Sequence, residues 1–231
     1  MQLSLTPRRQ YGSELLDAPG VNAELVLRTV RDIARSNKIF QGGRAAVAEL
    51  ALSFPRLPRV ATLLDVGTGA GDVPRLAQLA ALKSGISLRT IGLDSEPVLA
   101  RKASAQVSHG LCGSGLTLPL ADRSVDVAMC SQTLHHFRND AASALLREMN
   151  RVARVAVVVS DLRRSWIAVG GFWLGSFPLG FHAVTRHDGV LSVMRGFTQE
   201  EMADTVAHAV GVRPVVHRRL GFRLTTSWEP V

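Results

Sequence analysis

The chain has 231 residues, 46% of them hydrophobic, and a formal net charge of +8. This length suffices for one α/β domain with a substantial core, and the absence of repeats or low-complexity stretches excludes fibrous and disordered classes. The basic residues are mostly arginines spread along the chain without interleaved aromatic residues, which favours a solvated basic surface over a nucleic-acid partner.

Two helices are predicted before the first strand. Apolar residues recur at helical spacing over 22–37, with charges on the opposite face. Glycines at 42–43 interrupt this pattern, and a second short helix is predicted over 45–52. We expect residues 1–58 to form an N-terminal helical cap on a main domain that covers 59–231.

A nucleotide-binding loop is predicted directly after the first strand. Apolar residues over 60–66 indicate a buried strand that contains Asp65 and is followed by alternating glycines and a helical pattern. Such glycines allow a sharp turn and a close approach to a ligand, and the helix N-terminus offers free N–H groups. The third glycine of a dinucleotide loop would fall at Asp72, so that ligand is disfavoured. A glycine-rich turn without a ligand is the alternative.

The second predicted strand, over 88–93, ends at Asp94 and Ser95. An acidic side chain at this place in a Rossmann-like sheet accepts hydrogen bonds from ribose hydroxyls. Taken alone, Asp94 could equally cap the helix that follows. Together with the glycine loop, it favours a ribose contact.

Two segments resemble motifs of class I methyltransferases that use S-adenosylmethionine (SAM), and the resemblance covers about residues 60–161. They are D-V-G-T-G-A-G at 65–71 and L-P-L-A-D-R-S-V-D-V-A-M at 118–129. The resemblance implies SAM as cofactor and S-adenosylhomocysteine as product. The sequence shows no cluster of histidine, cysteine and carboxylate residues at metal-ligand spacing, so no metal is expected. The residues that it implies for the cofactor are Asp65, Gly67, Thr68, Gly69, Gly71, Asp94, Ser95, Ser114, Ser131 and Gln132. Ser114 stands where the family often carries an Asp that meets the adenine amino group, so that contact must differ or come from the backbone.

The remaining elements complete an α/β pattern. Strands are predicted over 125–130 and 155–159, helices over 140–152 and 199–210, and an antiparallel hairpin around Gly221. The resemblance implies a Rossmann-like seven-stranded, mostly parallel sheet with this terminal hairpin and helices on both faces.

Residues 166–184 form an apolar segment with two tryptophans and three phenylalanines. Glycines and Pro178 interrupt it, and it is too short to span a bilayer. Because the family inserts substrate-covering elements after the fifth strand, we expect an apolar lid within an insertion at 163–197. Trp173 and Phe177 would share one helix face and form a wall for an aromatic or lipid-like substrate. Ordinary core packing is the alternative.

Methyl transfer needs chiefly positioning, and a hydroxyl acceptor also benefits from a base, for which histidine suits neutral pH. We predict His187 as this base, assisted by Asp188, in a polar segment before a helix, with His135 as the next candidate. The segment T-R-H-D-G-V-L-S-V-M-R-G-F at 185–197 resembles methyltransferases that accompany type III polyketide synthases. The segment 31–43 is similar to small-molecule methyltransferases of quinone and polyketide pathways. Predicted substrate contacts are Trp173, Phe177, His136 and Arg195.

The expected function is SAM-dependent methylation, at oxygen, of a small phenolic, quinol or polyketide-derived acceptor. Three alternatives stay open: C-methylation of a quinone or lipid-like acceptor, an RNA or protein methyltransferase, and a SAM-binding interaction protein without catalysis. We expect a cytoplasmic monomer or homodimer without stable membrane insertion. Cys112 and Cys130 lie near the ends of predicted strands and, with no signal peptide evident, are interpreted as buried thiols and not as a disulfide.

Overall fold

A seven-stranded sheet organises the computed structural model, which describes residues 6–12, 14–15, 22–40 and 42–231. The strands are β1 (Val60–Val66), β2 (Ser87–Asp94), β3 (His109–Cys112), β4 (Val125–Ser131), β5 (Ala153–Leu162), β6 (Val216–Arg219) and β7 (Arg223–Trp228). Their order is β3-β2-β1-β4-β5-β7-β6, with the first five parallel and β7 antiparallel to both neighbours. The predicted fold class and terminal hairpin are confirmed.

Eight helices in the described ranges surround this sheet. They are α1 (Ala23–Ile39), α2 (Gly42–Leu50), α3 (Asp72–Lys83), α4 (Pro97–Ala103), α5 (Asn139–Val152), α6 (Trp166–Ser176), α7 (Ala183–Arg195) and α8 (Gln199–Val210). Short 3-10 turns cover Ala51–Arg56 and Leu134–His136. Within the described part of the chain, no helix combines the length and apolar character that crossing a membrane requires.

The apolar core lies on both faces of the sheet. On one face, residues of α5 and α8 such as Leu145 and Val206 are fully buried against β4 and β5. On the other face, Ala46 and Leu50 of α2 join residues of α3 in a second buried cluster. Strands buried on both faces explain the continuous apolar runs that predicted β4 and β5.

Three local expectations are corrected by the structure. The second helix, predicted over 45–52, begins earlier, at the glycine pair 42–43, and ends at Leu50. Gly43 lets α2 approach α3 closely, since a Cβ there would lie 2.9 Å from Leu76 Cδ1. The polar segment predicted before a helix at 185–197 belongs largely to α7 itself. Cys112 is exposed, whereas Cys130 is buried as expected, and both thiols are free.

The first described residues lie along α7 and the start of α6, and the rest of the predicted cap before residue 22 falls largely outside the described residues. Arg9 Nε donates to the Arg195 carbonyl at 2.7 Å, and Gln10 N donates to the Met194 carbonyl at 3.2 Å. Arg164 Nε donates to the Pro7 carbonyl at 2.7 Å. These contacts bring Glu14 to the C-terminal edge of the parallel strands.

Candidate active site

The glycine loop follows β1 and is held against the end of β2. Gly67 N and Thr68 N both donate to the Leu93 carbonyl, at 2.8 and 3.0 Å. Gly67 and Gly69 have φ values of 71° and 57°, which favour glycine. A Cβ at Gly67 would lie 2.4 Å from Thr133 Oγ1, whereas a Cβ at Gly69 would meet nothing within 4 Å. The loop therefore packs tightly on one side and faces open space on the other.

Two carboxylates flank this loop. Asp94 Oδ2 accepts from Gly69 N at 2.9 Å and Oδ1 accepts from Glu96 N at 3.0 Å, so Asp94 ties the loop to the tip of β2. Asp65 is 2% exposed, and its Oδ1 has no hydrogen-bond partner among the described residues. Burial raises the pKa of both groups, that of Asp65 to about 8.

The other residues predicted to bind the cofactor lie around the same edge. Gly71 precedes α3, Thr68 is buried in the loop, and Ser95 and Ser114 are exposed beyond β2 and β3. Gln132 follows β4 with φ of 56°, and its N–H donates to the Ser160 carbonyl at 2.7 Å. Arg223 Nη2 donates to Gln132 Oε1 at 2.9 Å, which fixes the side chain of Gln132.

Unpaired buried polar atoms concentrate at this edge of the sheet. Among the described residues, nine buried side-chain nitrogen or oxygen atoms have no hydrogen-bond partner, and six of the nine belong to this region. The six residues are Asp65, Thr68, Ser131, His135, Ser160 and Arg223. Buried polar groups are normally paired, so this concentration indicates a place that takes a polar ligand.

A buried histidine–carboxylate pair joins the ends of β4 and β5. His135 Nδ1 lies 2.6 Å from Asp161 Oδ1, and His135 N donates to Asp161 Oδ2 at 3.0 Å. Burial alone would raise the pKa of Asp161, but His135 and the N–H of Leu162 hold it below its ordinary value. An ionised Asp161 accepts a hydrogen bond from Nδ1–H, so His135 Nε2, which is buried and has no partner among the described residues, carries the free lone pair of the ring.

His136 lies at the edge of this pair and contacts α7. Its ring centroid is 4.3 Å from that of His135, and its Nδ1 is 3.4 Å from Arg195 Nη1. Desolvation by burial lowers the pKa of His136 to about 3, and the neighbouring His135 and Arg195 act in the same direction, which keeps the His136 ring neutral. Arg195 Nη1 is also 2.8 Å from Glu14 Oε1, and Ser192 Oγ donates to the same oxygen at 2.7 Å.

The structure separates the predicted catalytic residues: His187 pairs with Asp188, whereas His135 pairs with Asp161. His187 Nδ1 lies 2.8 Å from Asp188 Oδ1, but the His187 side chain is 55% exposed. His187 precedes Arg195 on α7 by eight residues, or about 12 Å along the helix axis. Arg195 reaches the His135–His136 pair, whereas His187 lies two turns away from that contact. This geometry favours His135 over His187 as a base.

Trp173 and Phe177 share a face, as predicted for a helical segment. Their ring centroids lie 5.0 Å apart in an edge-to-face arrangement. Both side chains are about half exposed, at 49% and 50%. Their predicted role as a wall for the acceptor stays a prediction.

Sequence reasoning misses three residues of this site. Asp161 follows the apolar run predicted as a strand over 155–159. A single acidic residue after such a run is the signal that could have indicated it. Arg223, on β7, and Glu14, in the N-terminal segment, carry no local signal because their contacts with Gln132 and Arg195 span 91 and 181 residues of sequence.

Glu14, His135 and His136 form a group of potential metal ligands, whose ligand atoms lie within 4.8 Å of one another. Arg195 already pairs with Glu14 at 2.8 Å, and its guanidinium would repel a cation at this place. We therefore interpret the group as an ion-pair network. The prediction of a metal-free enzyme stays a prediction.

Comparisons with known proteins agree with this geometry. Residues 64–158 match a family model described as a methyltransferase domain. This matched region contains the glycine loop, Asp94 and the His135 turn. Over this segment, which is less than half of the chain, the sequence is similar to methyltransferase domains. No curated protein matches it significantly in sequence.

Solved structures of methyltransferases share the fold at low identity. A SAM-dependent methyltransferase from Aquifex aeolicus is 17% identical with a TM-score of 0.58, over 86% of this chain and 98% of that one. The apo structure of the SAM-dependent methyltransferase SibL is 17% identical with a TM-score of 0.61, over 97% and 62%. The CurJ carbon methyltransferase is 13% identical with a TM-score of 0.57, over 80% and 54%. At these identities the likeness concerns the fold alone.

Proposed function

We propose that this protein is a SAM-dependent methyltransferase that acts on a hydroxyl group of a small phenolic, quinol or polyketide-derived acceptor, with His135 as the base. The observation that carries this proposal is the buried Asp161–His135 pair, at 2.6 Å, whose Nε2 is unpaired. An acceptor hydroxyl must lose its proton when its oxygen gains a methyl group. A neutral histidine oriented by a carboxylate suits that proton transfer near neutral pH.

The residues around the glycine loop fit the cofactor. The open side of Gly69 leaves space for a ligand against the backbone, and the unpaired Oδ1 of Asp65 offers an acceptor for a cationic amino group. We propose that Asp94, at the tip of β2, accepts hydrogen bonds from ribose hydroxyls. When bound, SAM supplies a methyl group that its sulfonium already activates. The protein then has chiefly to position the acceptor and take up its proton.

Residues at and after the C-terminal ends of β4 and β5 would bind the acceptor and take up its proton. The acceptor O–H would donate to His135 Nε2. As the oxygen bonds to the methyl carbon and the carbon–sulfur bond of SAM breaks to leave S-adenosylhomocysteine, the hydroxyl proton would pass to Nε2. Asp161 keeps the Nδ1 proton in place and stabilises the charged imidazole. We propose that His136 and Arg195, which lie next to His135, contact the acceptor, and that an acceptor with an acidic hydroxyl is favoured.

Paired substitutions test the role of His135. In His135→Ala we expect kcat on a panel of phenols and quinols to fall by about 10²–10⁴-fold, the usual contribution of a positioned base. SAM affinity, measured by calorimetry, should change little because the substitution lies outside the glycine loop. Asp161→Asn should lower kcat as well, since it removes the ionised acceptor that orients Nδ1.

His187→Ala is the matched control, because His187 also pairs with a neighbouring carboxylate but is exposed. Full activity in His135→Ala, together with lost activity in His187→Ala, would assign the base to His187 instead.

Mass spectrometry and NMR of the product distinguish the alternative methylation sites and acceptors. A methyl group on carbon would show C-methylation, and label found in RNA or protein would show a macromolecular acceptor.

A further inference from the structure

The outer face of α6 is apolar, and no described residue covers it. Five large side chains are each about half or more exposed: Trp166, Ile167, Trp173, Leu174 and Phe177. They recur at intervals of seven and four residues, so they share one side of the helix. Gly170 and Gly171 lie between them, and a Cβ added at either position would meet nothing within 4 Å. A contiguous apolar patch of this kind marks an interaction surface.

The opposite side of α6 is already occupied by the protein. Ala168 joins Leu162 and Val193 in a small buried cluster. The Phe172 ring lies 6.5 Å from that of Phe40 and 6.2 Å from that of Phe181. The helix is therefore fixed on the fold by one side, and its exposed apolar side chains are not needed for that attachment.

The surroundings of this face are positively charged. The sequence from 162 to 187 contains three arginines and no acidic residue. Arg164 pairs with Glu201, but the Arg186 guanidinium lies 4.6 Å from the centre of the Phe177 ring, at the edge of the apolar face. Arg35 Nη1 donates to the Leu179 carbonyl at 3.1 Å, which joins α1 to the end of α6.

Arg35 is the last member of an arginine row on α1. Arg28, Arg31 and Arg35 are all exposed and are spaced by three and four residues, so they lie on one face of that helix. Because Arg35 contacts the segment after α6, the C-terminal end of this arginine row lies beside the apolar face. The combination of apolar and aromatic side chains with neighbouring arginines is complementary to an anionic lipid surface.

We propose that the α6 face docks this enzyme on an anionic bilayer surface, as a peripheral contact. Tryptophan and phenylalanine would enter the interface while the α1 arginines meet lipid phosphates. The helix has 11 residues, or about 16 Å, so it lies in the interface and does not cross the hydrocarbon core. A bilayer fits better than a protein partner, because the described residues of this face offer only the indole N–H groups of Trp166 and Trp173 for the hydrogen bonds of a specific protein interface.

Vesicle binding tests this proposal directly. We expect the full chain to co-sediment with phosphatidylcholine vesicles that contain about 30% phosphatidylglycerol, and to be released at about 0.5 M salt. The double variant Ile167→Ser and Leu174→Ser should lose about tenfold or more in vesicle affinity. The double variant Arg28→Glu and Arg31→Glu should lose a similar factor on anionic vesicles. Tryptophan fluorescence provides a second readout, because Trp166 and Trp173 are exposed whereas Trp228 is buried.

Controls use similar residues away from α6. Leu82→Ser on α3, where Leu82 is 67% exposed, and Arg89→Glu on β2 should bind vesicles like the parent protein. Circular dichroism establishes that each variant is folded. Absence of vesicle binding by the parent protein, or equal binding to neutral and anionic vesicles, would overturn the proposal. A dimer in light scattering that Ile167→Ser and Leu174→Ser dissociates, without vesicle binding, would assign the face to a second copy.

Discussion

Asp65 combines deep burial with a carboxylate oxygen that has no partner among the described residues, and this lowers the stability of the ligand-free protein. Burial raises its pKa to about 8, and the nearby charges of Asp72 and Asp94 act in the same direction. Its position is explained by a ligand that brings positive charge, as the amino group of SAM does. We therefore expect a conflict at this residue between stability without ligand and affinity for the cofactor.

Asp65→Asn tests this conflict. The folded protein holds the Asp65 proton up to about pH 8, whereas the unfolded chain releases it near its ordinary pKa of 3.8. The unfolded state thus binds fewer protons between these values, and the free energy of unfolding falls as pH rises through this window. The asparagine variant lacks this loss, so its stability advantage in urea unfolding should grow from about pH 5 to about pH 8.

The same substitution should weaken SAM binding, because it removes the negative charge. In the parent protein, binding should release a proton below about pH 8, which calorimetry in buffers of different ionisation enthalpy detects. A constant stability difference between the two proteins across this pH range would contradict the assignment. Retained SAM affinity in Asp65→Asn would place the amino group elsewhere.

At the scale of elements, the contact between α6 and α7 depends on one glycine. A Cβ at Gly189 of α7 would lie 2.2 Å from two atoms of the Phe172 ring of α6. Gly189→Ala should therefore push the helices apart and cost about 1–3 kcal/mol of unfolding free energy. Gly170→Ala, on the open side of α6, is the matched control and should gain about 0.5–1 kcal/mol.

Thermal and urea unfolding measure both changes, and SAM affinity should stay unchanged in both variants because the glycine loop is remote from this contact. Equal stabilities of Gly189→Ala and Gly170→Ala would show that α6 adapts without cost. In that case α6 would be loosely packed against α7 and not held in one position by that contact.

The elements most accurately predicted are those with strong local signals. The run over 60–66 forms β1 without change, and 199–210 forms α8, which begins at a Thr198–Glu201 capping box. The helices after β5 are harder to predict because α6 is apolar on nearly all sides, so periodicity does not mark its ends. Similarly, the polar residues of 185–197 suggest a loop, although most of that segment is helical and packs α7 against α6 and the N-terminal residues.

In the candidate site, too, some residues are predictable from local sequence signals and others are not. Asp65 and Asp94 lie at the C-terminal ends of β1 and β2, and Gly67 and Gly69 follow β1, so their convergence is predictable from topology. The Asp161–His135 pair depends on the alignment of β4 with β5, in which Ser131 lies opposite Ser160. That register cannot be derived from the strand sequences themselves. Local sequence patterns therefore favour His187 beside Asp188, whereas the tertiary pairing favours His135.

At the scale of the whole molecule, the count of 27 lysine and arginine residues overstates the positive charge that is available to a partner. Several arginines are neutralised within the fold: Arg164 pairs with Glu201 at 2.6 Å, Arg195 with Glu14 at 2.8 Å, and Arg151 with Asp122 at 2.6 Å. Arg223 is buried on β7. The remaining positive charge is thus dispersed, with a local concentration beside α6.

This distribution predicts that nucleic acid is not the substrate. A protein that neutralises several phosphates loses affinity steeply with salt, with a slope in log affinity of about −0.9 per phosphate on duplex DNA and about −0.7 on single strands. We expect RNA binding to be weak, to show no sequence preference and to disappear near physiological salt, because the arginines are spread along the chain and several of them are paired within the fold. Fluorescence anisotropy with labelled RNA across a salt series measures this directly. Tight, site-selective RNA binding that persists at about 0.15 M salt would contradict the prediction and favour an RNA methyltransferase.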